Sequence, residues 1–240
     1  MNKYFVFSII ILFGLTVAST FPTTVQAQSH ENSKILYLTC DADMTQSMLD
    51  KLKTKKVSSW YDPNIITFLK NNHIPATIFV TGLFAKNYSK DVAEWGKSGD
   101  FSIQNHSFDH KSFTKKCYTL QPVSNEDEKK LEISKTQEII SSLGLPIPNW
   151  FRFPGLCHNK NDDELMTSMH LNISSADVIS GDAFNHSSAN IIKNVVSKTK
   201  NNSVILFHLG GPNAPATKNA IQTLVPYFLK VGYKFSLLEN

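Results

Sequence analysis

Two textures of hydrophobic and polar positions take turns along the chain. Short runs rich in β-branched and aromatic residues recur at "KILYLTCD", "ATIFVTG", "FSIQNH", "NWFRFPG", "ISSADVIS", "SVILFHL" and "YKFSLLE". Their length and residue types predict seven strands. Between most of them apolar residues return at helical spacing, bracketed by start and stop signals. Asp62-Pro63 opens a helix carrying Ile65, Ile66 and Leu69, and Ser124 caps one that runs through Leu131, Ile140 and Leu143 to Gly144. Ser187 or Ser188 opens a third with Ile191, Ile192, Val195 and Val196; the last carries Ile221, Leu224, Val225 and Phe228 and stops at Gly232. Shorter helices are predicted over 89–97 and 163–170. Near-continuous apolar strands alternating with helices predict a parallel sheet covered by helices. With about seven parallel strands the α/β expectation is a distorted (β/α) barrel, closed or nearly so, rather than an open sheet. No repeat or Pro/Gly linker divides residues 28–240, so they are expected to form one domain.

The polar residues fall at the ends of these strands. Asp41 and Asp43 end the first, His106 and His110 the third and Arg152 the fourth; Asp182 follows the fifth and His208 ends the sixth. In a parallel barrel all these ends open on one face, where such folds build their active sites. Residues two apart in a strand point to the same side, so Asp41 and Asp43 can face one point while Ala42 faces away. His106 and His110 stand four apart, but Ser107 holds the place of the glutamate in the helical H-E-x-x-H metal motif, and the segment follows a strand. Two imidazoles and a carboxylate from a neighbouring strand end form a divalent-metal site with open positions, the mark of a catalytic centre. Such a metal polarises a carbonyl and lowers the pKa of bound water from about 15.7 towards 7. Hydrolysis of an amide or ester then needs a base and an acid. One acid of the Asp41 and Asp43 pair can join His106 and His110 on the metal while the other acts as base, with His208 as the expected acid. Arg152 would hold the base carboxylate and Asp182 would orient His208. The plain alternatives are a solvated acidic turn for the D-x-D, a core histidine for His208, and structural ion pairs for Arg152 and Asp182.

The N-terminus is a separate matter. Lys3 precedes "YFVFSIIILFGLTVAS" and then polar "TFPTTVQAQ", with Val25 and Ala27 before a cut at Gln28. This is the pattern of a secretory signal over residues 1–27, and the apolar run is shorter than the roughly 20 residues of a spanning helix. Export to a periplasmic or extracellular space is the expectation, with no stable membrane span after cleavage; an uncleaved anchor is the alternative. Export places the three cysteines in an oxidising compartment. Cys40 lies inside the first strand and reads as a small buried hydrophobe. Cys117 and Cys157, in loops after the two most polar motifs, are predicted to form a disulfide. Removing residues 1–27 takes Lys3 and no acid, leaving 23 basic against 20 acidic side chains and a net charge of +3. No basic stripe is interleaved with aromatics, so nucleic acid is not an expected partner.

"TCDAD", "NHSFDH", "FRFPG", "SGDAF" and "LFH", in that order, resemble the motifs of the polysaccharide deacetylases, the NodB-homology group or carbohydrate esterase family 4. "IITFLKNNHIPATIFVTGLFA" and the closing "LVPYFLKVGYKFSLLE" are similar to the same family, so the likeness spans about residues 34–240. The resemblance implies a distorted (β/α) barrel that removes N-acetyl groups from an amino-sugar polymer, peptidoglycan or chitin-like, with a divalent metal that is usually zinc. It implies Asp41 as base, which leaves Asp43 as the third metal ligand, His106 and His110 as metal imidazoles, Arg152 as the residue tuning the base, Asp182 as support for the acid, and His208 as the acid. The sequence departs from the family where Ala42 separates two aspartates that are usually adjacent. Ile179 and Ala183 stand where the fourth motif carries an acid and a tryptophan, Gly155 where many members have a tyrosine, and Leu209 where an acid follows the histidine. The other functions open to such a chain are hydrolysis of another small amide or ester on the same barrel, or a catalytically silent carbohydrate-binding barrel.

Overall fold

The computed structural model describes Met1 and residues 34–238; the predicted signal segment and its cut lie outside the described residues. The chain runs β1 (Lys34–Ala42), α1 (Gln46–Lys53), α2 (Pro63–Asn71), β2 (Ala76–Val80), α3 (Gly82–Asn87), α4 (Ser89–Lys97) and β3 (Phe101–Asn105). It continues through α5 (Glu126–Ser142), β4 (Trp150–Phe151), α6 (Lys160–Ser168), β5 (Asn172–Ile173), β6 (Val178–Ile179), α7 (Ser188–Lys198), β7 (Ser203–His208), α8 (Thr217–Lys230) and β8 (Tyr233–Ser236).

Every strand pair is parallel, in the order β5-β4-β3-β2-β1-β7-β6, with β8 beside the first half of β1. The predicted fifth strand, "ISSADVIS", is therefore split. Its two ends pair with opposite edges of the sheet, and residues 174–177 step across the gap. The Ser174 amide donates to the Phe151 carbonyl (2.8 Å) and the Asp177 amide to that of Val204 (3.0 Å). The sheet is a curled barrel, open between β5 and β6 and bridged by one short crossing.

Local chemistry explains the helix ends. Asp62 accepts the Asn64 amide and Pro63 occupies the first turn of α2, whose Ile65, Ile66 and Leu69 are buried. Helix α5 starts one residue later than Ser124 predicts, because Asn125 accepts the Glu128 amide at 2.9 Å. Three acids in its first turn also favour that end of the helix dipole. Helix α6 begins at Lys160 rather than 163, since Asn159 caps it, and ends at Ser168 before the left-handed His170. Ser187 is the cap of α7. Helices α1 and α3, at 8 and 6 residues, fell below the length at which periodicity is readable; their signals were the caps Thr45 and Thr81.

The main core lies between the sheet and its helices and takes Leu36, Leu38, Cys40 and Ala42 from one face of β1. Cys40 is the free, buried cysteine expected. A smaller cluster of Phe113, Ile133, Phe151, Phe153 and Met166 brings together β4, α5 and α6. A disulfide joins Cys117 to Cys157, which are 40 residues apart. Closing a loop of that length is worth about 4 kcal/mol in the chain-entropy picture. Replacing both cysteines by serine should lower the free energy of urea unfolding by about 2–4 kcal/mol, and thiol titration of the denatured, unreduced mature protein should find only Cys40.

Candidate active site

All the predicted polar residues meet at the carboxyl ends of the strands. Asp41 sits at the end of β1, its Cα opposite that of His208 in β7. Ala42 is buried in the core behind, so Asp41 and Asp43 both turn to the mouth. His106 Nε2 lies 3.6 Å from Asp41 Oδ2 and 3.4 Å from Asp43 Oδ1. His110 Nε2 lies 3.5 Å from the same Asp43 Oδ1. On the other side His208 Nε2 is 3.6 Å from Asp43 Oδ2.

Each group is fixed from behind. His106 Nδ1 faces the Arg152 carbonyl at 2.7 Å, so it carries the proton and leaves Nε2 free. The Arg152 guanidinium is fully buried, donating from Nη1 to Asp41 Oδ1 (2.7 Å) and from Nη2 to Ser174 Oγ (3.0 Å). It also lies over the Phe79 ring at 4.1 Å. Asp182 accepts from three donors: His208 Nδ1 (2.8 Å), the His208 amide (2.8 Å) and the Thr217 hydroxyl (2.5 Å).

The loop carrying the two imidazoles is gripped along its length. Ser107 and His110 adopt left-handed backbone, φ 65° and 64°, which costs about 1–2 kcal/mol per non-glycine residue. The first amides of α3 hold the Ser107 and Phe108 carbonyls, each at 2.9 Å. Gly82 permits that approach, because a Cβ there would stand 2.5 Å from Phe108 Cδ2. From α5, Glu132 Oε2 accepts the amides of Phe108 (2.8 Å) and Asp109 (3.1 Å). Asn105 closes the turn, its Oδ1 accepting the Ser107 amide (3.0 Å) and its Nδ2 donating to the Ile133 carbonyl (2.9 Å). Fully buried, Asn105 has no room for a glycan, although it begins an N-x-S sequon. Glu132 was absent from the sequence expectations; it sits on a helix two dozen residues away with no local signal of its task.

The electrostatics ask for positive charge. Burial opposes ionisation of Asp43, yet His110, His106 and His208 together hold its pKa well below the carboxylate range. Burial would lower the His106 pKa, but Asp41 and Asp43 outweigh it and raise it. His110 is held below its ordinary value, chiefly by burial. Asp43 Oδ1 is buried with no hydrogen-bond donor, between two imidazole nitrogens. Asp43, His106 and His110 can each bring one ligand atom to a common site, all within 4.8 Å of one another. Donors about 2.0–2.1 Å from a tetrahedral ion stand about 3.4 Å apart, which matches the 3.4 and 3.5 Å seen here. The residues fit a divalent metal.

The family model for polysaccharide deacetylases matches residues 28–173. The chain belongs to the polysaccharide deacetylase family. It is 27% identical over 181 residues to a peptidoglycan-N-acetylglucosamine deacetylase of Bacillus cereus, an alignment covering 75% of this chain and 62% of that protein. The chain thus spans less than two thirds of that relative. Among solved structures, a peptidoglycan N-acetylglucosamine deacetylase in complex with 4-naphthalen-1-yl-N-oxidanyl-benzamide superposes with a TM-score of 0.72 at 25% identity, covering 86% of this chain and 87% of that one. A carbohydrate esterase family 4 pseudoenzyme from Bacillus anthracis shares the fold, with a TM-score of 0.68 at 20% identity over 87% of this chain and 65% of that one.

Two outcomes test this site. Replacing Glu132 by alanine leaves two amides of the histidine loop unpaired, so urea unfolding should show a loss of about 1–3 kcal/mol. Metal affinity should fall about 10–100-fold with it. The second concerns pH. Burial disfavours protonated His208, but Asp182 outweighs it and lifts the pKa from 6.5 to about 10. Stability from that pair is therefore full below about pH 6.5 and is lost as pH rises towards 10. With chelator present, unfolding free energy should fall across this window, and Asp182→Asn should flatten the slope.

Proposed function

We propose that this family member is an exported, metal-dependent hydrolase that removes N-acetyl groups from an amino-sugar polymer of the peptidoglycan or chitin type. The observation that carries the reading is Asp43 Oδ1, buried without a donor between the Nε2 atoms of His106 and His110, with Asp41 and His208 on either side. Two imidazoles and one carboxylate suit zinc. Bound there, a divalent ion supplies Lewis acidity to the acyl oxygen and to an attacking water.

The chain's own residues do the rest. Asp41 keeps one oxygen on Arg152 and leaves Oδ2 at the mouth, where it can take the proton of the attacking water. His208 cannot turn, because Asp182 holds its Nδ1, so Nε2 faces the cleft. Its raised pKa keeps it protonated at neutral pH, ready to give that proton to the leaving amine nitrogen. The carboxylate of Asp182 stabilises the charged ring before transfer.

A polymer suits the surroundings better than a small molecule. The cavity over Asp41 and His208, about 210 Å³, continues past His110, Thr119 and Leu120 into a polar groove of about 580 Å³ lined by Gln46, Asp50 and Gln121. Gln46, Asp50 and Gln121 offer amide and carboxylate groups to sugar hydroxyls there. Export is supported by Lys3 and the apolar run after it, and by the disulfide.

The test is acetate release from chitooligosaccharides and peptidoglycan, with and without chelator, alongside metal analysis. His208→Ala should lose about 10²–10⁴-fold in turnover with metal retained; unchanged turnover would sink the acid assignment. Asp43→Ala should lower metal affinity, whereas Asp41→Ala should stop acetate release with metal still bound. The reverse pattern exchanges the jobs of the two acids. Sugar binding with neither stoichiometric metal nor acetate release would identify a silent binding barrel instead.

A further inference from the structure

We propose that Tyr118 and Phe184 form an aromatic wall on which a pyranose ring of the substrate stacks, held in place by the Cys117–Cys157 disulfide; this rests on the glycan reading above. The cavity that contains Asp41 and His208 has a mouth of different character. Tyr118 is 72% exposed and Phe184 76%, and Ile179, also exposed, lines the same cavity. The two rings come from separate loops and lean together, centroids 5.8 Å apart and planes 31° from parallel. Large apolar side chains gathered at the rim of a polar centre mark a binding surface. The C–H face of a sugar ring covers such rings, while its hydroxyls stay free for the polar groove beyond.

The wall is built rather than incidental. Tyr118 adopts left-handed backbone, φ 50°, immediately after the disulfide. The Leu120 amide donates to the Cys117 carbonyl at 3.1 Å, folding the loop into a turn. That turn lies directly on Gly155, φ 64°. A Cβ at 155 would stand 2.5 Å from Cys117 Sγ, 3.2 Å from the Tyr118 ring and 3.3 Å from Leu120. No side chain fits there, so the disulfide-tied loop supplies the wall that residue 155 cannot. The glycine and the disulfide are two parts of one device.

The experiment uses metal-loaded protein in a His208→Ala background, titrated with chitotetraose by calorimetry. Tyr118→Ala and Phe184→Ala should each weaken binding by about tenfold, and Tyr118→Phe should hold affinity within about twofold because the ring remains. The disulfide-free Cys117→Ser/Cys157→Ser variant should lose as much as Tyr118→Ala, and adding Tyr118→Ala to it should cost little more. Unchanged affinity in Tyr118→Ala, a loss in Tyr118→Phe equal to that in Tyr118→Ala, or no chitotetraose binding by the parent would overturn the proposal. Ring-dependent binding in a protein whose His208 form releases no acetate keeps the wall and removes the deacetylase reading. Acetate release with ring-independent affinity does the reverse.

Discussion

A fully buried guanidinium needs partners for its charge, and Arg152 organises the site through those that its two terminal nitrogens take, its Nε being left without one. Its Nη1 takes Asp41, its Nη2 takes Ser174 and the Ser175 carbonyl, and its face lies on Phe79. Its own carbonyl fixes the ring of His106. One residue therefore holds Asp41, selects which nitrogen of His106 is free, and reaches the crossing between β5 and β6. Leaving one partner of a buried ion pair alone typically costs about 3–5 kcal/mol. That penalty ties Asp41 to the crossing at residues 174–175, because one guanidinium holds both.

A second constraint acts on the histidine loop. Two residues in left-handed backbone are affordable only because helix α3 holds the loop's carbonyls and Glu132 holds its amides. Gly82, buried against Phe108, is the contact that lets α3 approach so closely. The imidazoles thus stand on a strap clamped by two helices. Their separation is set by secondary structure, which preorganises the two rings.

These two constraints explain what the sequence disclosed. Strand-end residues such as Asp41, His106 and His208 were legible because strand polarity and the parallel fold send them to one face whatever the details. The helices opened by Asp62 and Ser187 were legible because capping is local. Glu132 was not, since a glutamate in a helix with surface-like neighbours gives no sign that it will be buried against a loop two dozen residues earlier. The split of "ISSADVIS" was hidden for a related reason: its two ends pair with strands β4 and β7, which only closure brings near. Gly155 showed itself as a departure, but its cause lies in a loop almost forty residues earlier.

The alanine between the acids follows from the same alternation. Ala42 shows its side chain to the helix-covered core beside Cys40 and Leu38, and its carbonyl takes the Thr81 amide at 3.2 Å. A carboxylate at that position would be driven into apolar packing, at a cost of several kcal/mol for an unpaired charge. Spacing the acids by two instead turns both to the mouth, one at the last paired residues of β1 and one just beyond it. Asp41 is then close enough to Arg152 to be held by it, while Asp43 is left without a donor and free to take a cation. The residue that separates the family's usual pair gives Asp41 its partner and leaves Asp43 Oδ1 open.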